Sequence, residues 1–271
     1  MSFDLREVFI ELLHFALSED IGSGDVTTMS VIPEDISGSF AFTAREEIVL
    51  SGSAIIKAAF PQSELKYKDG DKVPANAVIA SVNGNVRDIL IKERSVLNII
   101  QHLSGIATET AKYVAAVKGT NAKILDTRKT LPMLRAVQKY AVTCGGGVNH
   151  RMGLYDAVMI KDNHIRAAGG INNAVNKARA TNLKIEVECD SLEQVQQAVE
   201  AGADIILADN MSSAQLKEAV ALVKGKAKIE ASGNVNLQTI AAIAATGVDY
   251  ISIGKLTHSV RAVDIGLDEV N

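Results

Sequence analysis

The 271 residues are 47% hydrophobic and 22% charged with a net charge of −4, a composition that supports a buried core and excludes extended disorder. Aromatic side chains are only 4%, with no Trp, which argues against the stacking surface that single-stranded nucleic acid needs. No apolar run nears the roughly 20 residues of a membrane span, the two cysteines form neither a disulfide framework nor a metal-ligand spacing, and Asp4 and Glu7 stand where a signal peptide would be basic, so a cytoplasmic protein is expected.

In chain order, LREVFIELLHFAL (5–17) has the apolar spacing of a helix, and SEDIGSGDVTT (18–28) breaks it with Gly22 and Gly24. Short β-like runs follow at SFAFTA (39–44), EIVLSG (47–52), AVIASVNG (77–84) and DILI (88–91). Together they predict an α+β module. The stretch KERSVLNIIQHLSGIATETAKYVAAV (92–117) then reads as a helix interrupted or bent at Gly105.

Beyond residue 120 the pattern becomes regular, with strand candidates KILDT (123–127), AVMIK (157–161), IEVEC (185–189), DIILA (204–208), KIEAS (228–232) and YISIG (250–254). Helical stretches separate most of them, and AGADIILADN (201–210) echoes TGVDYISIGK (246–255). Alternation of this kind predicts a parallel sheet, and six or seven units predict a TIM-like barrel, closed or incomplete. The expected domains are 1–119 and 120–271, with a C-terminal tail that can return to the first.

Chemistry in such barrels sits at the carboxyl ends of the strands. Three sectors result. Arg128, Lys129, His150, Arg151 and Lys161 form a cationic one, within a window (127–166) that holds seven Lys and Arg against two acids. A pocket for a small polyanion suits that imbalance better than a nucleic-acid face. The glycines of CGGGVNHRMG (144–153) permit the backbone conformations that would aim His150 and Arg151 inward. Glu186, Glu188 and Asp209 form an acidic sector, in which period-2 alternation puts the two glutamates on one side of their strand. Hard oxygen donors of this kind suit Mg²⁺. Ser232, Gly233, Ser252 and Gly254 follow the last two strands, where TIM-type barrels often hold a phosphate. Each sector also has a plain structural reading: solvated surface cations, carboxylates paired with Lys161 or Arg128, and an ordinary helix cap at Ser232.

With these residues set out, the chain resembles the quinolinate phosphoribosyltransferase family through EDIGSGDVTT (19–28), ERSVLNIIQHLSGIAT (93–108), DTRKTLPMLR (126–135), KYAVTCGGGVNHRMGLYDAVMIKDNH (139–164), IEVEC, ILADN, IEASGNV and ISIGKLTHS. The resemblance implies an N-terminal α/β sandwich followed by an open α/β barrel. It implies Mg²⁺-dependent conversion of quinolinate and phosphoribosyl pyrophosphate into nicotinate mononucleotide, pyrophosphate and CO₂. Arg128, His150, Arg151 and Lys161 would hold the quinolinate carboxylates, joined by Arg94 of a neighbouring subunit in a homodimer. Lys129, Glu188 and Asp209 would serve phosphoribosyl pyrophosphate and its metal, and Ser232, Gly233, Asn234, Ser252, Gly254 and His258 its phosphate end. Lys129, Lys161, Glu188 and Asp209 are the residues expected at the reacting atoms. Asn234 departs from a more usual glycine, and Leu131 and Met133 from smaller residues. A related transferase for another ring acid, a barrel lyase forming a Schiff base at Lys161 or Lys129, and a non-catalytic anion-binding module are the alternatives.

Overall fold

The computed structural model describes residues 4–270. They divide into two compact units. One contains the chain up to Ala111, Leu131–Gly146 and the segment from Ser259; the other contains Lys112–Thr130 and Gly147–His258. Domains 1–119 and 120–271 were expected, with a C-terminal tail that can return to the first; the segment from Ser259 does group with the first unit, as does Leu131–Gly146, so the chain changes unit four times.

The first unit opens with α1 (Leu5–Ile21), capped by the Asp4 carboxylate, and α2 (Val26–Val31), whose start is capped by Asp25. Strand β1 (Ser37–Ala44) precedes β2 (Ile48–Val49), α3 (Ser53–Ala59), β3 (Glu64–Leu65), β4 (Lys72–Val73) and β5 (Val78–Asn85). Phe42, Ala44, Ile79 and Ala80 are fully buried where β1 and β5 pair antiparallel. The run DILI (88–91), expected as strand, belongs instead to α4 (Val86–Ala116). A four-residue apolar run cannot separate strand from buried helix, and here the Asn85 side chain accepts the Asp88 N–H at the helix start.

Of the interruption or bend expected at Gly105, the interruption is absent, since α4 is continuous through it. The glycine serves close approach: a Cβ there would lie 2.3 Å from the Arg261 carbonyl oxygen. Helix α5 (Arg135–Cys144) completes the helical part of this unit, with Tyr140 edge-on to Phe9 at 5.6 Å.

The second unit holds β6 (Lys123–Leu125), β7 (Val158–Ile160), β8 (Ile185–Cys189), β9 (Ile205–Asp209), β10 (Lys228–Ser232) and β11 (Tyr250–Ser252), ordered β6-β11-β10-β9-β8-β7 and wholly parallel. Helices α6 (Asp162–Ala168), α7 (Ile171–Ala178), α8 (Leu192–Ala201), α9 (Ser213–Val223), α10 (Ile240–Ala244) and α11 (Lys255–His258) alternate with the strands. Val148 adds an isolated parallel bridge to Leu125 on the far side of β6. This is the expected TIM-like arrangement of six strands and a seventh reduced to one bridge, open between Val148 and β7. The remaining strand, β12 (Ile265–Glu269), returns to the first unit and pairs antiparallel with β1, giving a sheet ordered β12-β1-β5-β3.

Candidate active site

The parallel register brings one end of every barrel strand to a common rim. Arg128 and Lys129 follow β6, His150 and Arg151 follow the Val148 bridge, and Lys161 follows β7. Glu188 lies near the end of β8, while Asp209, Ser232 and Ser252 close β9, β10 and β11. All nine line one cleft of about 400 Å³, together with Thr127, Met159, Leu207 and Glu230. A second pocket of about 590 Å³ shares Thr127, Lys129, Asp209, Ser232 and Ser252, and adds Gly233, Asn234, Gly254 and His258. Of the expected residues, Arg94 and Glu186 line neither space; Arg94 is an exposed residue of α4 in the first unit, and Glu186 is buried in β8.

Local contacts fix the cations. The Lys129 carbonyl accepts the Thr257 hydroxyl at 2.8 Å, and its N–H donates to Thr127 Oγ1 at 3.0 Å. Its side-chain stem passes Gly254, where a Cβ would lie 3.0 Å from Lys129 Cδ. Arg151 donates from Nη1 to the Ala157 carbonyl at 3.2 Å. Burial, followed by the nearby Arg128 charge, pushes the Arg151 guanidinium below its usual pKa. Two guanidinium groups held this way repel one another, and an anionic ligand relieves both the repulsion and the desolvation.

The acids face this wall. Glu188 pairs with the Lys161 ammonium, as the plain structural reading anticipated. Asp209 accepts the Ser232 hydroxyl and, at 2.8 Å, the Asn210 side-chain amide. Carboxylates from adjacent strands, opening into one cleft with hydroxyl and amide groups around them, are the hard-oxygen set that suits Mg²⁺.

Beneath the cleft is a floor that residue spacing only half disclosed. Glu186 is 3% exposed and Glu230 1% exposed. His150 Nε2 stands 3.1 Å from Glu186 Oε2 and 3.6 Å from Glu230 Oε2. Strand alternation put Glu186 on the side of Glu188; the partnership with Glu230, two strands away, has no local signal. The same acids, with His150 and Arg151, border a further cavity of about 470 Å³.

At the phosphate-type end, Gly233 has φ +91°, and a Cβ there would lie 2.0 Å from Asn210 Oδ1. Asn234 takes φ +51°. Asparagine tolerates the left-handed region better than most residues, so its replacement of a second glycine leaves the turn intact.

A parallel barrel that opens a cation-rich cleft onto a Ser/Gly/Asn-lined pocket defines an α/β-barrel enzyme for polyanionic substrates. The chain belongs to the quinolinate phosphoribosyltransferase family and is a pentosyltransferase of NAD biosynthesis. The model of the family's C-terminal domain matches residues 106–268, and that of its N-terminal domain residues 25–104. A probable carboxylating nicotinate-nucleotide pyrophosphorylase of Bacillus subtilis is 47% identical over 266 residues, covering 95% of this chain and 91% of the relative. A decarboxylating quinolinate phosphoribosyltransferase of Nicotiana glauca is 43% identical over 294 residues, covering 98% and 82%. The solved nicotinate-nucleotide pyrophosphorylase of Francisella tularensis superposes with a TM-score of 0.95 at 45% identity, covering 98% of this chain and 97% of that one.

Proposed function

We propose that the chain transfers a phosphoribosyl group from phosphoribosyl pyrophosphate to the ring nitrogen of quinolinate with loss of one carboxylate as CO₂, and that Mg²⁺ is bound by Glu188 and Asp209. The observation that carries this reading is the single cleft in which Arg128, Lys129, Arg151 and Lys161 face Glu188 and Asp209, joined to the Ser232–Gly233–Gly254 pocket. Quinolinate carries two carboxylates, which the planar forks of Arg128 and Arg151 suit, with Lys161 as a compact charge beside them and His150 in the same wall. Arg94 of a second copy would complete this end. The sugar diphosphate would run past Lys129 toward Ser232, Gly233, Asn234, Ser252, Gly254 and His258.

Bound Mg²⁺ would supply charge neutralisation for the pyrophosphate. Lys129 then stabilises negative charge that develops as the bond at ribose C1 weakens, and the arginines hold the ring nitrogen opposite the departing group. After transfer the ring is cationic and stabilises the electron pair left on the ring carbon when the adjacent carboxylate departs as CO₂, and that carbon then takes up a proton from water. Arg128 and Arg151 fix the ring through its carboxylates, so the retained one keeps it in register during that loss. The Lys161 ammonium is paired with Glu188, which favours a binding role over a Schiff base.

Quinolinate and phosphoribosyl pyrophosphate with Mg²⁺ should yield CO₂ and pyrophosphate in equal amounts, and nicotinate should not substitute. Absence of quinolinate-dependent pyrophosphate would refute the reading, as would a borohydride-trapped lysine adduct. No helix among the described residues is long and apolar enough to cross a membrane.

A further inference from the structure

Asn210, Asn234 and Asn236 line the phosphate-type pocket in a series of contacts, and the groups at its two ends fix how each amide is turned. An ionised carboxylate only accepts, so the Asn210 Nδ2 group, 2.8 Å from Asp209 Oδ2, is the donor there. At the other end Asn236 Oδ1 accepts the backbone N–H groups of Gln238 and Thr239 at 2.9 and 3.0 Å, which turns its Nδ2 toward the Asn234 carbonyl at 3.5 Å. Between them the Asn234 side-chain Nδ2 donates to Asn210 Oδ1 at 3.4 Å. Reversing any of these amides sets donor against donor or acceptor against acceptor. Asn210 is the shared member. Its backbone N–H donates to the Ser232 carbonyl at 2.9 Å, and the Ser232 hydroxyl donates to the second Asp209 oxygen. Its Oδ1 lies 2.0 Å from where a Gly233 Cβ would be, so position 233 is held to glycine by this amide as well as by φ +91°.

We infer that Asn210 is a positioning residue that ties the Asp209 carboxylate to the Gly233–Asn234 turn, so that one side chain sets both ends of the site, and that Asn234 supplies a link to it that glycine at 234 would lack. Asn210 and Asn234 are both exposed. Exposed side chains lose rotamer freedom when a ligand orders them, and cross-links made beforehand remove that cost from binding. Each Asp209 oxygen accepts one of these hydrogen bonds and keeps a lone pair for a cation. The Asn210 backbone, at φ +54°, is in the left-handed region that asparagine tolerates better than most residues. What the two ends hold, magnesium pyrophosphate at Asp209 and a sugar phosphate at the turn, rests on the proposed function.

Calorimetric titration with the two halves of the donor substrate separates the ends without turnover: ribose 5-phosphate probes the turn, and pyrophosphate with Mg²⁺ probes Asp209. Asn210→Gly suits the left-handed backbone and removes only the amide. It should keep a native circular dichroism spectrum and weaken both ligands about tenfold. Asn234→Gly should weaken ribose 5-phosphate about threefold and magnesium pyrophosphate by a similar factor, although Asn234 makes no hydrogen bond to Asp209 among the described residues. In the double variant magnesium pyrophosphate should bind as it does to Asn210→Gly alone, since Asn234 reaches Asp209 only through Asn210. Additive losses in the double variant, or a loss at one end only in Asn210→Gly, overturn the inference. In turnover the KM for quinolinate should stay within about twofold in all three variants while that for phosphoribosyl pyrophosphate rises, a split that general loss of folding does not produce. If the wild type binds both halves and the variants match it, the inference alone fails; if the wild type binds neither half, the proposed function fails and the inference with it.

Discussion

Arg151 illustrates how one side chain is prepared for an anion. Burial and the neighbouring Arg128 both disfavour its charge, so a carboxylate that arrives between them gains interactions that water no longer supplies. Charge-assisted hydrogen bonds of this kind contribute about 1.5–3 kcal/mol each. Arg151→Ala should therefore lower kcat/KM for quinolinate by roughly 10- to 150-fold with a much smaller change in KM for phosphoribosyl pyrophosphate. Unchanged quinolinate kinetics would remove Arg151 from the site. Asp209 accepts hydrogen bonds from Ser232 and Asn210 that aim its carboxylate into the cleft. Asp209→Asn should raise the Mg²⁺ concentration for half-maximal rate by at least about tenfold, read from a magnesium titration.

Elements meet closely where side chains are missing. Gly105 allows α4 to approach the backbone at Arg261, and Gly145, just past α5, leaves room for the Ala107 carbonyl 2.4 Å from where its Cβ would be. Gly105→Ala should cost about 1–3 kcal/mol in urea unfolding, since the atom it would strike is backbone. A second feature of this unit is Gln138, which is fully buried. Its Oε1 accepts the Leu131 N–H at 2.9 Å and its Nε2 lies 2.8 Å from His102 Nε2. An amide N–H2 can only donate, so His102 must be the neutral acceptor. Burial accordingly lowers the His102 pKa below 6.5. The unfolded chain takes up that proton first as pH falls, so stability present at neutral pH should decline below about pH 6.5. His102→Gln should flatten that decline in pH-dependent unfolding; an equal slope in both proteins would show that other groups set it.

At the scale of the whole molecule, each barrel carries every expected side chain but Arg94. If Arg94 acts across subunits, Arg94→Ala and Arg151→Ala are each weak alone. Mixing and reannealing them should restore roughly a quarter of wild-type activity, because half of the dimers are mixed and each has one intact site. Sedimentation at the assay concentration should show a dimer. A monomer, or no recovery on mixing, would place the function of Arg94 within its own chain.

The regular β/α alternation after residue 120 and the charge of DTRKT, NHR and IKDN made the barrel and its cationic rim legible, because strand ends in a parallel barrel converge whatever the loops between them do. Short elements were less so: DILI had the apolarity of a strand but lies in α4, and the role of Gly105 depends on a segment more than 150 residues later. The meeting of His150, Glu186 and Glu230 was likewise decided by folding alone. Periodicity reports which face of its own element a residue occupies, whereas proximity between separate strands, and the desolvation that comes with it, exists only once the sheet curves round and brings those faces together.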